Sequence, residues 1–125
     1  MAWRLKFDSD LRFVELVLSG VVTGADIHEA TSKCIAMTNE KGVPGILIDS
    51  FRLELAPSIA DLYSLPAEQF VQEDLSHKVL FALIIPESPK LIDYAEFYKT
   101  ICNNRGWVVK LFETRKDAIE LLINQ

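Results

Sequence analysis

Two residues of this chain have the type and setting for chemistry at the entrance of a helix. Asp49 closes the apolar run Gly45-Ile46-Leu47-Ile48, and Ser58 follows Pro57 and stands three residues before Asp61. A carboxylate that ends a buried strand can serve as a general base or a phosphate-site acid, although it more often accepts hydrogen bonds from neighbouring backbone N–H groups. Ser58 has the N-cap place, where its hydroxyl can accept from the N–H of Ala60 or Asp61. His28 and His77 have no His, Cys, Asp or Glu partner at ligand spacing, which argues against a metal. The sequence has no Gly-rich phosphate loop, no Gly-x-Ser-x-Gly elbow and no Cys-x-x-Cys. A small hydrolase or transferase would therefore need residues assembled by the fold alone, and no catalytic residue, metal or cofactor is assigned.

The elements that must position Asp49 and Ser58 are legible from periodicity. Trp3, Leu5 and Phe7 alternate with Arg4, Lys6 and Asp8; after Asp8-Ser9-Asp10, Val14, Leu16 and Leu18 alternate with Phe13, Glu15 and Val17. This reads as an antiparallel hairpin whose first strand is half exposed. Thr23 with Asp26 three residues later has the form of a capping box, and the helix that follows carries Ile27, Ala30, Cys34 and Met37 on one stripe until Gly42. Gly45 to Asp49 is the third strand. The helix from Ser58 meets Pro66, which removes a hydrogen bond and should kink or restart it, with Ser64 available to cap the restarted piece. Val79 to Ile85 is apolar throughout, the pattern of a strand covered on both faces and expected in the middle of the sheet. Ser88-Pro89 opens another helix, with Leu91, Tyr94, Ala95, Tyr98, Ile101 and Cys102 on its buried stripe. Trp107 to Phe112 is the last strand, and Thr114 with Asp117 caps the terminal helix.

The order ββαβαβαβα predicts an α/β fold: a mixed, mainly parallel sheet with an antiparallel N-terminal hairpin and flanking helices. At 125 residues and 50% hydrophobic, one domain spanning 1–125 is expected. Thirteen basic against 18 acidic residues give a net charge of −5, so a general attraction to nucleic acid is unsupported. The start of the chain lacks the pattern of a signal peptide, and the longest apolar run falls far short of the roughly 20 residues of a membrane span. Cys34 and Cys102 fall among apolar helical positions and read as reduced core residues. A soluble, cytoplasmic protein is expected.

Between Asp49 and Ser58, the apolar side chains Phe51, Leu53 and Leu55 alternate with Arg52 and Glu54. This suits a short edge strand with one face on the core, or a loop acting as a flap over a pocket or as an interaction surface. Tyr94, Phe97 and Tyr98 could line such a pocket, although aromatic residues at that spacing are usually core.

The order of elements, with Gly20-Val21-Val22-Thr23, Ile46-Leu47-Ile48-Asp49 and Phe112-Glu113-Thr114-Arg115-Lys116-Asp117-Ala118, resembles the STAS domain shared by sulfate transporters and anti-sigma factor antagonists. The resemblance covers nearly the whole chain and looks closer to bacterial STAS-like proteins described as related to the lipid-carrying SEC14 domain. In the antagonists an Asp-Ser-Ser-Gly motif starts the second helix, and one serine is phosphorylated by a partner kinase. The corresponding segment here is Ala56-Pro57-Ser58-Ile59-Ala60, which keeps one serine and lacks the Asp and the Gly; the resemblance makes Ser58 the regulatory phosphosite candidate, a role that can coexist with capping. The resemblance implies a non-enzymatic regulatory domain that meets a protein partner through the junction of strand 3 and helix 2. The alternative is an apolar or lipid-like small-molecule binder with peripheral membrane contact. The partner or ligand residues expected on either reading are Asp49, Ser50, Phe51, Leu53, Leu55, Ser58, Asp61, Tyr63, Phe70 and Phe97; homodimer formation stays open.

Overall fold

The computed structural model describes residues 2–124. Strands β1 (Trp3–Asp8) and β2 (Phe13–Val21) form the hairpin, followed by helix α1 (Gly24–Lys41) and strand β3 (Gly45–Leu55). A helical segment in three pieces comes next: α2 (Ile59–Ser64), a π-helical turn (Leu65–Gln69) and α3 (Phe70–Gln72). Strand β4 (Leu80–Ile84), helix α4 (Pro89–Asn104), strand β5 (Val108–Phe112) and helix α5 (Arg115–Ile123) complete the order. This is the α/β arrangement expected from periodicity, and the sheet runs β1-β2-β3-β4-β5, antiparallel between β1 and β2 and parallel elsewhere.

Helices α1, α2 and α5 start where a side chain satisfies a free backbone donor, and α4 where proline removes one. Thr23 Oγ1 accepts the Asp26 N–H at 3.1 Å while Asp26 Oδ2 accepts the Thr23 N–H at 3.0 Å, the reciprocal box its spacing predicts. Thr114 Oγ1 accepts the Asp117 N–H at 3.2 Å. Ser88 has the N-cap position of α4 without a side-chain bond, and Pro89 follows at N1.

Helices α1, α2 and α4 cover one face, burying Ile27, Ala30, Leu62, Leu91 and Ala95 against Leu16, Ile46, Ile48, Phe81 and Leu83. Helix α5 covers the other face, where Ala118 and Leu122 meet Leu47, Ala82 and Ile84. Alternation along each strand sends successive side chains to these two layers.

Three expectations are corrected. Strand β4 is covered on both faces but lies next to the β5 edge, and β3 is the middle strand; an uninterrupted apolar run reports cover above and below, which any interior strand has. Second, the irregularity expected at Pro66 is present, but its form is neither a restart nor a cap by Ser64. The chain widens into a π-helical turn in which the Phe70 N–H reaches the Leu65 carbonyl, and Ser64 Oγ donates to the Asp61 carbonyl at 2.7 Å instead of capping. The wider turn accommodates proline, which has no N–H to give and whose ring crowds the preceding turn. Third, β3 does not end at Asp49: Phe51 to Leu55 continues it, paired with β2 alone and with Leu53 on the core, so the edge-strand reading holds and the loop reading does not.

That continuation does not alternate simply, because it passes two bulges. Val17 to Ser19 of β2 faces Asp49 to Arg52 of β3, and Gly20 to Val21 faces Leu53 to Leu55, so β3 carries one extra residue at each place. An extra residue moves the following side chains to the opposite face. Gly20, at φ +68°, supplies the left-handed backbone beside the second bulge.

Candidate functional site

The entrance of α2 is a polar junction between that helix, α1 and the π-helical turn. Ser58 is exposed and extended, and its Oγ accepts the Asp61 N–H at 3.1 Å and donates to Asp61 Oδ2 at 2.9 Å. The other Asp61 oxygen lies 3.4 Å from His28 Nε2 on α1. A Cβ added to Gly24, the first residue of α1, would meet the Asp61 carboxylate, which would have to shift from its place beside His28 and Ser58.

Behind Asp61 the contacts continue inward. His28 Nδ1 lies 2.7 Å from Gln69 Oε1, while Gln69 Nε2 donates to the His28 carbonyl at 2.9 Å and to Ser32 Oγ at 3.3 Å. With its amide nitrogen donating, Gln69 presents an acceptor to the ring, and Nδ1 therefore carries the proton. His28 Nε2 thus stands 3.4 Å from the carboxylate that bonds Ser58. Sequence spacing missed this, since Asp61, Ser64 and Gln69 lie 33 to 41 positions from His28.

Exposed apolar side chains lie on the segments that flank Ser58. Leu55 (57% exposed) pairs with the exposed Val21 at the end of the β2–β3 ladder, and Ile59 (47%) and Tyr63 lie one turn apart on the outer side of α2. Ile59 was not among the expected partner residues. Tyr63 is held by Arg105, whose Nη2 donates to the phenol oxygen at 2.6 Å.

The bulges divide the other expected residues. Ser50, Leu53 and Phe70 face inward and line an apolar cleft of about 70 Å3 with Tyr94 and Tyr98; Ser50 Oγ donates to the Ile84 carbonyl at 2.6 Å. Phe97 packs at the margin of the same core. Asp49 and Phe51 turn to the opposite sheet face. There Asp49 Oδ1 accepts the Phe51 N–H at 3.1 Å, the structural role its position favours, and Oδ2 lies 3.8 Å from Arg115. Beside them Glu15, 4% exposed, receives both prongs of the Arg115 guanidinium at 2.6 Å. That hydrogen bonding, with the charges of Glu15, Asp49 and Asp8, raises the Arg115 pKa against the opposing effect of burial. Among the described residues no buried side-chain polar atom lacks a partner, and no three His, Cys, Asp or Glu side chains come together as a metal site.

No described family matches the chain, and no curated protein does. Solved structures do. The Bacillus cell fate determinant SpoIIAA in its phosphorylated form superposes with a TM-score of 0.61 at 19% identity, over 96% of this chain and 98% of that one. An uncharacterized protein of the DUF3478 family with a SpoIIAA-like fold, from Shewanella loihica PV-4, superposes at 0.59 with 17% identity, over 97% and 92%. The fold is therefore SpoIIAA-like, the STAS-type fold that the order of elements resembles.

Proposed function

We propose that this chain is a non-enzymatic, STAS-type regulatory domain that binds a protein partner at the entrance of α2, and that phosphorylation of Ser58 switches the binding. The observation that carries the reading is the setting of Ser58: an exposed hydroxyl at a helix N-terminus, with exposed apolar side chains on the segments either side of it, Leu55 at the end of β3 and Ile59 and Tyr63 on α2. Apolar side chains rimming a polar centre suit a protein surface. The likeness to a SpoIIAA solved in its phosphorylated form supports the switch.

The chemistry of the switch follows from the contacts. Ser58 Oγ now donates to Asp61 Oδ2 at 2.9 Å. A phosphate ester has no proton there to give and brings a charge of about −1.5 to −2 against that carboxylate. The helix dipole offsets part of the repulsion. Asp61 must turn away, which alters the polar centre of the surface and leaves the fold standing.

The apolar cleft supports a lipid-like ligand less well. Its volume of about 70 Å3 falls well below the ~300–1,000 Å3 of small-molecule pockets. Tyr63 and Leu55 do not line it.

The test is to purify the protein from its host under phosphatase inhibition, map phosphosites, and compare capture by wild type, Ser58→Ala and Ser58→Asp. Phosphate on Ser58, with a captured protein lost in Ser58→Asp and kept in Ser58→Ala, is the expected result. An unmodified Ser58, with the same proteins captured equally by all three, contradicts the proposal.

A further inference from the structure

Helix α5 packs chiefly over β3, β4 and β5, and on the same sheet face it reaches β2 at Phe13 and Glu15. There a concavity of about 220 Å3 is lined by Arg4 and Lys6 from β1, Glu15 from β2, Asp49 and Arg52 from β3, and Arg115 from α5. Four cationic side chains against two carboxylates leave an excess of two positive charges, in a chain whose net charge is −5.

The carboxylates are already engaged. Glu15 takes both prongs of Arg115 at 2.6 Å and has Lys6 Nζ at 3.9 Å, and Asp49 accepts from the Phe51 N–H. Among the described residues the side chains of Arg4 and Arg52 have no ion-pair or hydrogen-bond partner. Basic residues on an edge strand commonly serve only to prevent edge-to-edge pairing, which would account for Arg4 and Lys6. It does not account for Arg52 and Arg115, which come from the middle strand and the last helix to the same cavity. Phe51, 40% exposed, adds an aromatic wall.

We propose that this concavity binds a small molecule carrying a phosphate monoester, the phosphate held by Arg4 and Arg52 and the remainder lying against the ring of Phe51. A phosphate monoester near neutral pH carries about −1.5 to −2 charge, matching the local excess, and the guanidinium fork suits its oxygens. The small volume and the acidic remainder of the chain select against an extended polyanion, since repulsion from the rest of the surface reaches about 8–10 Å. The site is independent of the Ser58 switch and uses none of its contacts.

The test is an amide NMR titration of the full chain with phenyl phosphate and with inorganic phosphate, alongside flotation with phosphatidic acid vesicles. Saturable shifts at Phe51 and Arg52, with phenyl phosphate half-saturating on the order of 1 mM and ahead of inorganic phosphate, are expected. Binding should weaken at least about tenfold in Arg4→Gln/Arg52→Gln. Phe51→Ser should remove the preference for phenyl phosphate. If the double variant loses its dispersed spectrum, Arg4→Gln alone, on the exposed edge strand, carries the same comparison. The absence of saturable shifts, their persistence in the arginine variants, or flotation with vesicles without phenyl phosphate binding would overturn the proposal.

Discussion

Glu15 and Arg115, 100 positions apart, meet in a two-pronged ion pair with both N···O distances at 2.6 Å. The carboxylate is buried while 46% of the arginine side chain stays exposed, so the pair fixes the first residue of α5 to β2 without removing the cation from water. Removing the arginine strands a charge in the interior. Arg115→Ala should cost on the order of 2–3 kcal/mol in urea unfolding. Glu15→Leu/Arg115→Leu should cost less than Arg115→Ala alone, because it leaves no uncompensated charge.

The bulged end of β3 separates three apolar side chains that the sequence shows as one alternating set. Leu53 is 8% exposed, whereas Phe51 and Leu55 face outward. Leu53→Ser should therefore lose about 2–4 kcal/mol, through lost apolar contact and a buried hydroxyl. Phe51→Ser and Leu55→Ser should each stay within about 1 kcal/mol of wild type. Equal losses in denaturant titrations at all three positions would contradict the assigned faces.

Placing β3 in the middle of the sheet alters the expected order of backbone opening. The amides of Ile46 to Ile48, paired on both sides and covered by helices on both faces, should be among the last to exchange with deuterium. Those of Trp3 to Phe7, on the edge strand, should exchange earlier; comparable rates would contradict the architecture.

Burial pushes the Cys34 and Cys102 thiols up from the ordinary 9.0 to about 12. Tyr98 beside them is also raised, first by burial and then by the charges of Cys102 and Cys34. A thiol whose folded pKa is raised favours the folded state while protonated. This stabilisation is whole below about pH 9 and is lost as pH rises from about 9 to about 12. Native protein at about pH 8 should resist a thiol reagent until it unfolds, and urea midpoints should fall through the alkaline window. Rapid labelling of folded protein would contradict the burial.

What the sequence disclosed was local. The Thr23, Ser58 and Thr114 caps, the hairpin alternation and the doubly covered β4 each depend on residues within a few positions of one another. What it concealed depends on pairing at long range. The bulges exist only in the register between β2 and β3, so nothing local separates Leu53 from Phe51. His28 meets Gln69, and Glu15 meets Arg115, through tertiary packing. One signal was available: the hairpin sets Lys6 opposite Glu15, which marks that carboxylate as the centre of a charged cluster.

Photo-crosslinking separates a partner surface at the α2 entrance from a merely exposed one. A photoreactive residue at Ile59, beside Ser58, is compared in the host with one at Ile123, equally exposed on α5 across the sheet. Adducts with a discrete host protein from Ile59, none of the same size from Ile123, and their loss when Ser58→Asp is added are the expected result. The same adducts from both positions, or adducts from Ile59 indifferent to Ser58→Asp, would contradict a Ser58-switched surface at the start of α2.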